Sequence, residues 1–192
     1  MVAVTIPTRR AGRPHASSRA MLEEAAGELF LEQGYAATSV ADITRRAGVS
    51  RSSFFNYFGG KSDLLWASFD DLADRLRADL GSGADPRAAL LRLARDLPAD
   101  HVALAFTQGD AMGLGDELRV AAARRTLTVA DALAAAATRL DPLHARVAGT
   151  AWAGALIAAV QDWSRAGAAR TSLPEVLDRA LSPVAGAFDS GT

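Results

Sequence analysis

Arg51, Ser52, Ser53 and Asn56 fall within six consecutive positions and are the side chains of this chain best suited to chemistry with a partner. Arginine offers a planar pair of donors and asparagine a donor beside an acceptor. Serine hydroxyls serve as either, so the set matches the base edges in the major groove of a nucleic acid. No nucleophile, base and orienting group come together here or elsewhere in the sequence, so no catalytic residues are assigned. Ser50 is placed to cap a helix over residues 51–57, and Phe54 and Phe58, four apart, would turn one side inward. The polar four would then face outward. Arg45 and Arg46 add positive charge just before them.

Two further elements must hold that short helix. Residues 18–33 carry Met21, Leu22, Ala25, Ala26, Leu29 and Phe30 at helical spacing, with Glu23, Glu24, Glu28 and Glu32 on the other side and Gly34 as terminator. Ser39, with Asp42 three residues on, forms a capping-box pattern before Val40, Ile43 and Ala47, and Gly48 ends that helix. Two short helices joined through a glycine turn, the second capped by serine, have the layout of a helix-turn-helix. Its second helix enters the major groove.

The motifs then become specific. Ala47-Gly48-Val49-Ser50, Phe54-Phe55-x-Tyr57-Phe58-x-x-Lys61 and Asp63-Leu64-Leu65 follow Ala26-x-x-Leu29-Phe30-x-x-x-Gly34-Tyr35-x-x-Thr38-Ser39-Val40-x-Asp42-Ile43 in order. Across residues 18–66 this resembles the signature of TetR-family transcriptional repressors. The resemblance implies that Thr38, Tyr57 and Lys61 contact phosphates and that Arg51, Ser52, Ser53 and Asn56 read base edges. Phe55 stands where many members have tyrosine, and plain core packing is expected of it. Ser52 stands where glycine is frequent, adding a side chain. The preceding Arg9, Arg10 and Arg13, with no acid among them, form a basic arm over residues 1–17 suited to phosphates or the minor groove.

Charge and composition agree with one anionic partner for one end. Residues 1–61 hold eight basic and five acidic residues, whereas 62–192 hold 13 and 17. Forty-three alanines in 192 residues favour helix. Helices are expected at 86–96, 99–108, 116–140, 142–166 and 173–188 after one starting at Ser62, with Asp85-Pro86, Asp141-Pro142 and Ser172/Glu175 as starts. The fold class is all-α, about nine helices: a DNA-binding domain at 18–66 and a helical ligand-binding and dimerisation domain at 67–192.

In that second domain, Leu93, Val102, Phe106, Gln108, Arg124, Thr128 and Trp152 would line an effector pocket, apolar with a few polar groups; Arg125 is a further polar candidate. Small and large residues alternate over 142–166. By the same resemblance, Gly149, Ala153, Ile157 and Val160 with Leu177 and Leu181 would form a two-fold four-helix homodimer interface. Dimerisation also suits a recognition helix that reads only a half-site. The short length, Trp66 and Trp163 bear a looser resemblance to regulators of the mycofactocin system, whose ligand domain is acyl-CoA-like.

Rival chemistries fail on residue count and spacing. The chain has no cysteine, which removes disulfides, thiolate metal sites and cysteine nucleophiles. Gly60-Lys61-Ser62 lacks the glycine a phosphate-binding loop needs at Phe55, and Leu118 fills the third position of a dinucleotide turn after Gly113 and Gly115. His15, His101 and His144 lie too far apart for a metal site, so no metal and no cofactor is expected. The charge-free run from Val147 to Gln161 is 15 residues, short of a membrane span, and the N-terminus lacks a signal-peptide apolar region. The expectation is a cytoplasmic, ligand-responsive repressor of a palindromic DNA operator. A non-DNA-binding helical protein or an enzyme reusing the fold is the alternative.

Overall fold

The computed structural model describes residues 18–98, 115–166 and 171–187. Among these the chain is all-helical, in two units that divide between Tyr57 and Phe58. The first holds α1 (Ser18–Gln33), α2 (Val40–Ala47) and α3 (Arg51–Tyr57). The second holds α4 (Lys61–Gly81), α5 (Pro86–Asp96), α6 (Gly115–Ala136), α7 (Pro142–Arg165) and α8 (Leu173–Leu181), closed by a 3₁₀ turn, Ser182–Ala187. Residue 66, the domain end expected from sequence, lies inside α4.

In the first unit the predicted stripe of α1 is the core. Leu22, Ala25, Ala26, Leu29 and Phe30 are buried. Gly34 ends the helix at φ 82°, where a side chain would be strained, and Tyr35 packs its ring 5.1 Å from that of Phe30. Ile43 and Ala47 of α2 and Phe54 of α3 complete this core.

The second unit is organised around α6 and α7, joined by a five-residue connection that folds one back on the other. Gly149 makes that approach possible: a Cβ there would lie 2.4 Å from the Ala130 carbonyl oxygen. Asp85 and Asp141 cap α5 and α7, accepting from Ala88 N at 2.8 Å and Leu143 N at 2.9 Å, with proline at the first helical position in both. The most apolar stretch of α7 is half buried against its neighbours, the pattern of a core helix.

Two expected ends move. The helix expected at 116–140 stops at Ala136, because residues 137–141 must turn to present Asp141 as the next cap. The one expected at 173–188 becomes 3₁₀ at Ser182, because Pro183 cannot donate to an α-helical ladder. The helix expected at 99–108 lies outside the described residues.

Candidate nucleic-acid interface

Reciprocal capping and a left-handed glycine shape the turn between α2 and α3. Ser39 Oγ accepts from Asp42 N at 3.1 Å, while Asp42 Oδ2 accepts from Ser39 N at 3.0 Å, completing the capping box. The Ser39 hydroxyl, its backbone N–H and the Arg45 guanidinium hold the Asp42 carboxyl down at about 2. Gly48 closes α2 at φ 67°, and Val49 N donates to the Thr44 carbonyl at 3.0 Å. Ser50 Oγ then accepts from Ser53 N at 3.0 Å and starts α3.

Across α3 the faces separate as the spacing predicts. Phe54 is fully buried, while Arg51, Ser52 and Asn56 are exposed and Ser53 is half-buried beside Ser50. Tyr57 is 49% exposed at the helix end. Phe55 is equally exposed, against the expectation of core packing, because Phe54 takes the inward position of this single-faced helix. Its ring lies edge-on to Phe54, and the Arg51 guanidinium carbon stands 5.6 Å from its centroid.

Three other residues differ from their expected roles. Thr38 is 1% exposed and donates its hydroxyl to the Gly34 carbonyl at 2.8 Å. Ser39 is the N-cap of α2, so Thr38 ties that helix to the end of α1 instead of facing phosphate. Arg46 is drawn back onto α1, donating to both Glu32 carboxylate oxygens at 3.0 and 2.7 Å and to Glu28 at 2.9 Å. That pairing lowers the Glu32 pKa and raises that of Arg46. Arg45 is exposed but pairs with Asp42. The charge expected of these two arginines is therefore largely answered within the unit. Arg9, Arg10 and Arg13 lie outside the described residues.

Lys61 opens α4 in the second unit, partly exposed. Two residues on, Asp63 accepts from Gly59 N at 3.0 Å and from Arg124 at 2.8 Å. Its neighbour Arg125 is 4% exposed, held by both oxygens of Asp70 at 2.7 and 2.6 Å and lying 4.7 Å from the Trp66 ring centroid. These carboxylates, 55 to 62 residues from their arginines, gave no sequence signal.

The pocket residues do not converge among the described ones. Leu93 lines a hollow of about 220 Å³ with α4, Thr128 one of about 640 Å³ with Arg77 and Leu80, and Arg124 an open groove of about 520 Å³ beside Gly59. Trp152 is buried, its indole N–H bonded to the Val184 carbonyl at 2.9 Å. Arg125 is taken up by Asp70. Val102, Phe106 and Gln108 lie outside the described residues.

The residues expected at a dimer interface are core residues of one chain. Ala153, Val160, Leu177 and Leu181 are 0% exposed, Ile157 is 7%, and Gly149 faces α6. The outward stripe of α7 is Leu143, Val147, Thr150, Gly154 and Ala158, with Leu143 at 59% and Val147 at 58% exposure.

Residues 22–68 match the family model of bacterial regulatory proteins, tetR family. The chain is similar to the HTH-type transcriptional repressor KstR2 of Rhodococcus jostii (strain RHA1), 34% identical over 100 residues that cover 48% of this chain and 49% of that one. It also resembles a Mycobacterium tuberculosis regulator provisionally named for mycofactocin biosynthesis, MftR, 35% identical over 60 residues, 31% of this chain and 30% of that one. These matches cover about half or less of the curated relatives' length. Among solved structures, the chain resembles the Thermus thermophilus FadR, a TetR family transcriptional repressor in complex with lauroyl-CoA. The TM-score is 0.56 at 25% identity, over 88% of this chain and 94% of that one.

Proposed function

Because residues 22–68 match the family model of tetR-type regulatory proteins, we propose that this stretch is a TetR-family DNA-binding domain and that the whole protein is a homodimeric, effector-released repressor of a palindromic DNA operator, working in the cytoplasm. The observation that carries it is the capped turn from Ser39 to Tyr57, which buries Phe54 and leaves Arg51, Ser52 and Asn56 exposed on a short helix. Arg51 and Asn56 read bases, Ser52 and Ser53 add shorter contacts, and Tyr57, Lys61 and the basic arm at Arg9, Arg10 and Arg13 hold phosphates.

A short helix specifies only a half-site, so two copies must stand about 34 Å apart, or a multiple of that. The outward stripe of α7, with Val147, Thr150, Gly154 and Ala158 and no charge among them, is the face through which the copies meet. The effector is a small molecule of the acyl-CoA class, which the similarity to the lauroyl-CoA-bound repressor supports. It acts through α4, a single helix from Lys61 to Gly81 whose start follows α3 by only three residues.

A gel shift with the DNA flanking the protein's own gene tests the proposal. A complex that survives competitor DNA and dissolves on adding a long-chain acyl-CoA supports it. Binding that competitor removes entirely would leave a helical protein without an operator.

A further inference from the structure

Phe55 is the exposed aromatic of α3 whose position is fixed from two sides. The edge-to-face contact with Phe54, centroids 5.2 Å apart at 82°, anchors it to a fully buried ring. The Arg51 guanidinium carbon lies over its ring, 5.6 Å from the centroid. Single exposed apolar side chains are common on protein surfaces and need no explanation. This one is held in place, and it sits among the hydrogen-bonding residues Arg51, Ser52 and Asn56. A phenyl group offers no hydrogen bond, so what it can recognise on a base edge is apolar. In the major groove that is the C5-methyl group of thymine.

We propose that Phe55 is a specificity residue of the DNA-binding surface: its ring covers a thymine methyl group and holds Arg51 in place to read the guanine beside it. The pairing follows from the chemistry of the two side chains, since arginine is bidentate to guanine O6 and N7 while an aromatic ring packs on the neighbouring methyl. A ring under the guanidinium also limits the freedom arginine must lose on binding. The proposal rests on the DNA-binding function above.

The test uses an operator enriched from random duplexes by the full-length protein, with each thymine replaced in turn by deoxyuridine, which lacks only the methyl group. The wild-type protein should lose about fourfold in affinity at one thymine of each half-site, the worth of one buried methyl. Phe55→Ala should be indifferent to that replacement and discriminate less at the adjoining guanine. Phe55→Tyr, which keeps the ring, should retain both preferences. Phe55→Ala as sensitive as wild type, or a wild-type protein indifferent to every thymine methyl, would overturn the proposal. Failure to enrich any sequence would instead remove the DNA-binding function on which it rests.

Discussion

Lys61 and Asn56 stand for the two kinds of contact in the proposed complex, which mutation separates. A phosphate contact releases counterions from any sequence alike, so Lys61→Ala should weaken binding uniformly and reduce the salt slope by about one unit. A base contact is local, so Asn56→Ala or Arg51→Ala should cost about 1–3 kcal/mol on the operator and relax preference at one base pair. Fluorescence anisotropy across a salt series and an operator mutant panel measures both. Asp42 makes a prediction about acid. Its carboxyl sits at about 2 rather than 3.8 because the folded chain binds the ionised form, through Ser39 first and Arg45 after. The stability it lends is present above pH 3.8 and is lost as pH falls through about 2. Asp42→Ala should melt below the wild type at neutral pH, and the two melting curves should converge over that window. The polar face of α3 was legible because three anchors, Ser50, Phe54 and Gly48, lie within a few residues of it. Thr38 was not, since its burial depends on a carbonyl at the end of another helix, Gly34, and on the choice of Ser39 as cap.

At the scale of elements, the close packing of α6 on α7 rests on one missing side chain. Gly149→Ala would place a methyl group 2.4 Å from the Ala130 carbonyl oxygen and 3.1 Å from Ala134 Cβ. Helix propensity favours alanine by about 1 kcal/mol, but forcing two backbones apart costs roughly 1–3 kcal/mol. The helix pair cannot open without disturbing Ala153 and Leu156 beside it, so the packing cost wins. Denaturant unfolding should show a lower midpoint for Gly149→Ala; a midpoint at or above wild type would contradict this packing. Helix positions were readable from sequence because aspartate-proline and serine-glutamate starts are local signals. Helix faces were readable only where polar residues mark the outside. In α7 alanine and glycine occur on all sides, so periodicity could not tell the side facing α6 from the side facing out. The Arg125–Asp70 pairing was hidden for a related reason, because ion pairs between elements follow tertiary neighbours that spacing within one element does not reveal.

For the whole molecule, the proposed function depends on two copies presenting two copies of α3. Val147→Arg or Ala158→Glu places charge on the outward stripe of α7 without entering the core, since both positions are exposed. Sedimentation should show a monomer with nearly unchanged melting temperature, and operator affinity should fall steeply as the second half-site is lost. An unchanged dimer would place the interface on another face. The proposed function rests finally on sequence-specific recognition by α3, and selection from a random duplex library, run in parallel with wild-type protein and with an Arg51→Ala/Asn56→Ala variant, tests that most directly. The wild type should enrich an inverted repeat whose half-site centres lie about 10 base pairs, or a multiple of that, apart. The variant should lose the preference at the positions those two residues read. No enriched motif from the wild type, or the same motif from both proteins, would contradict it.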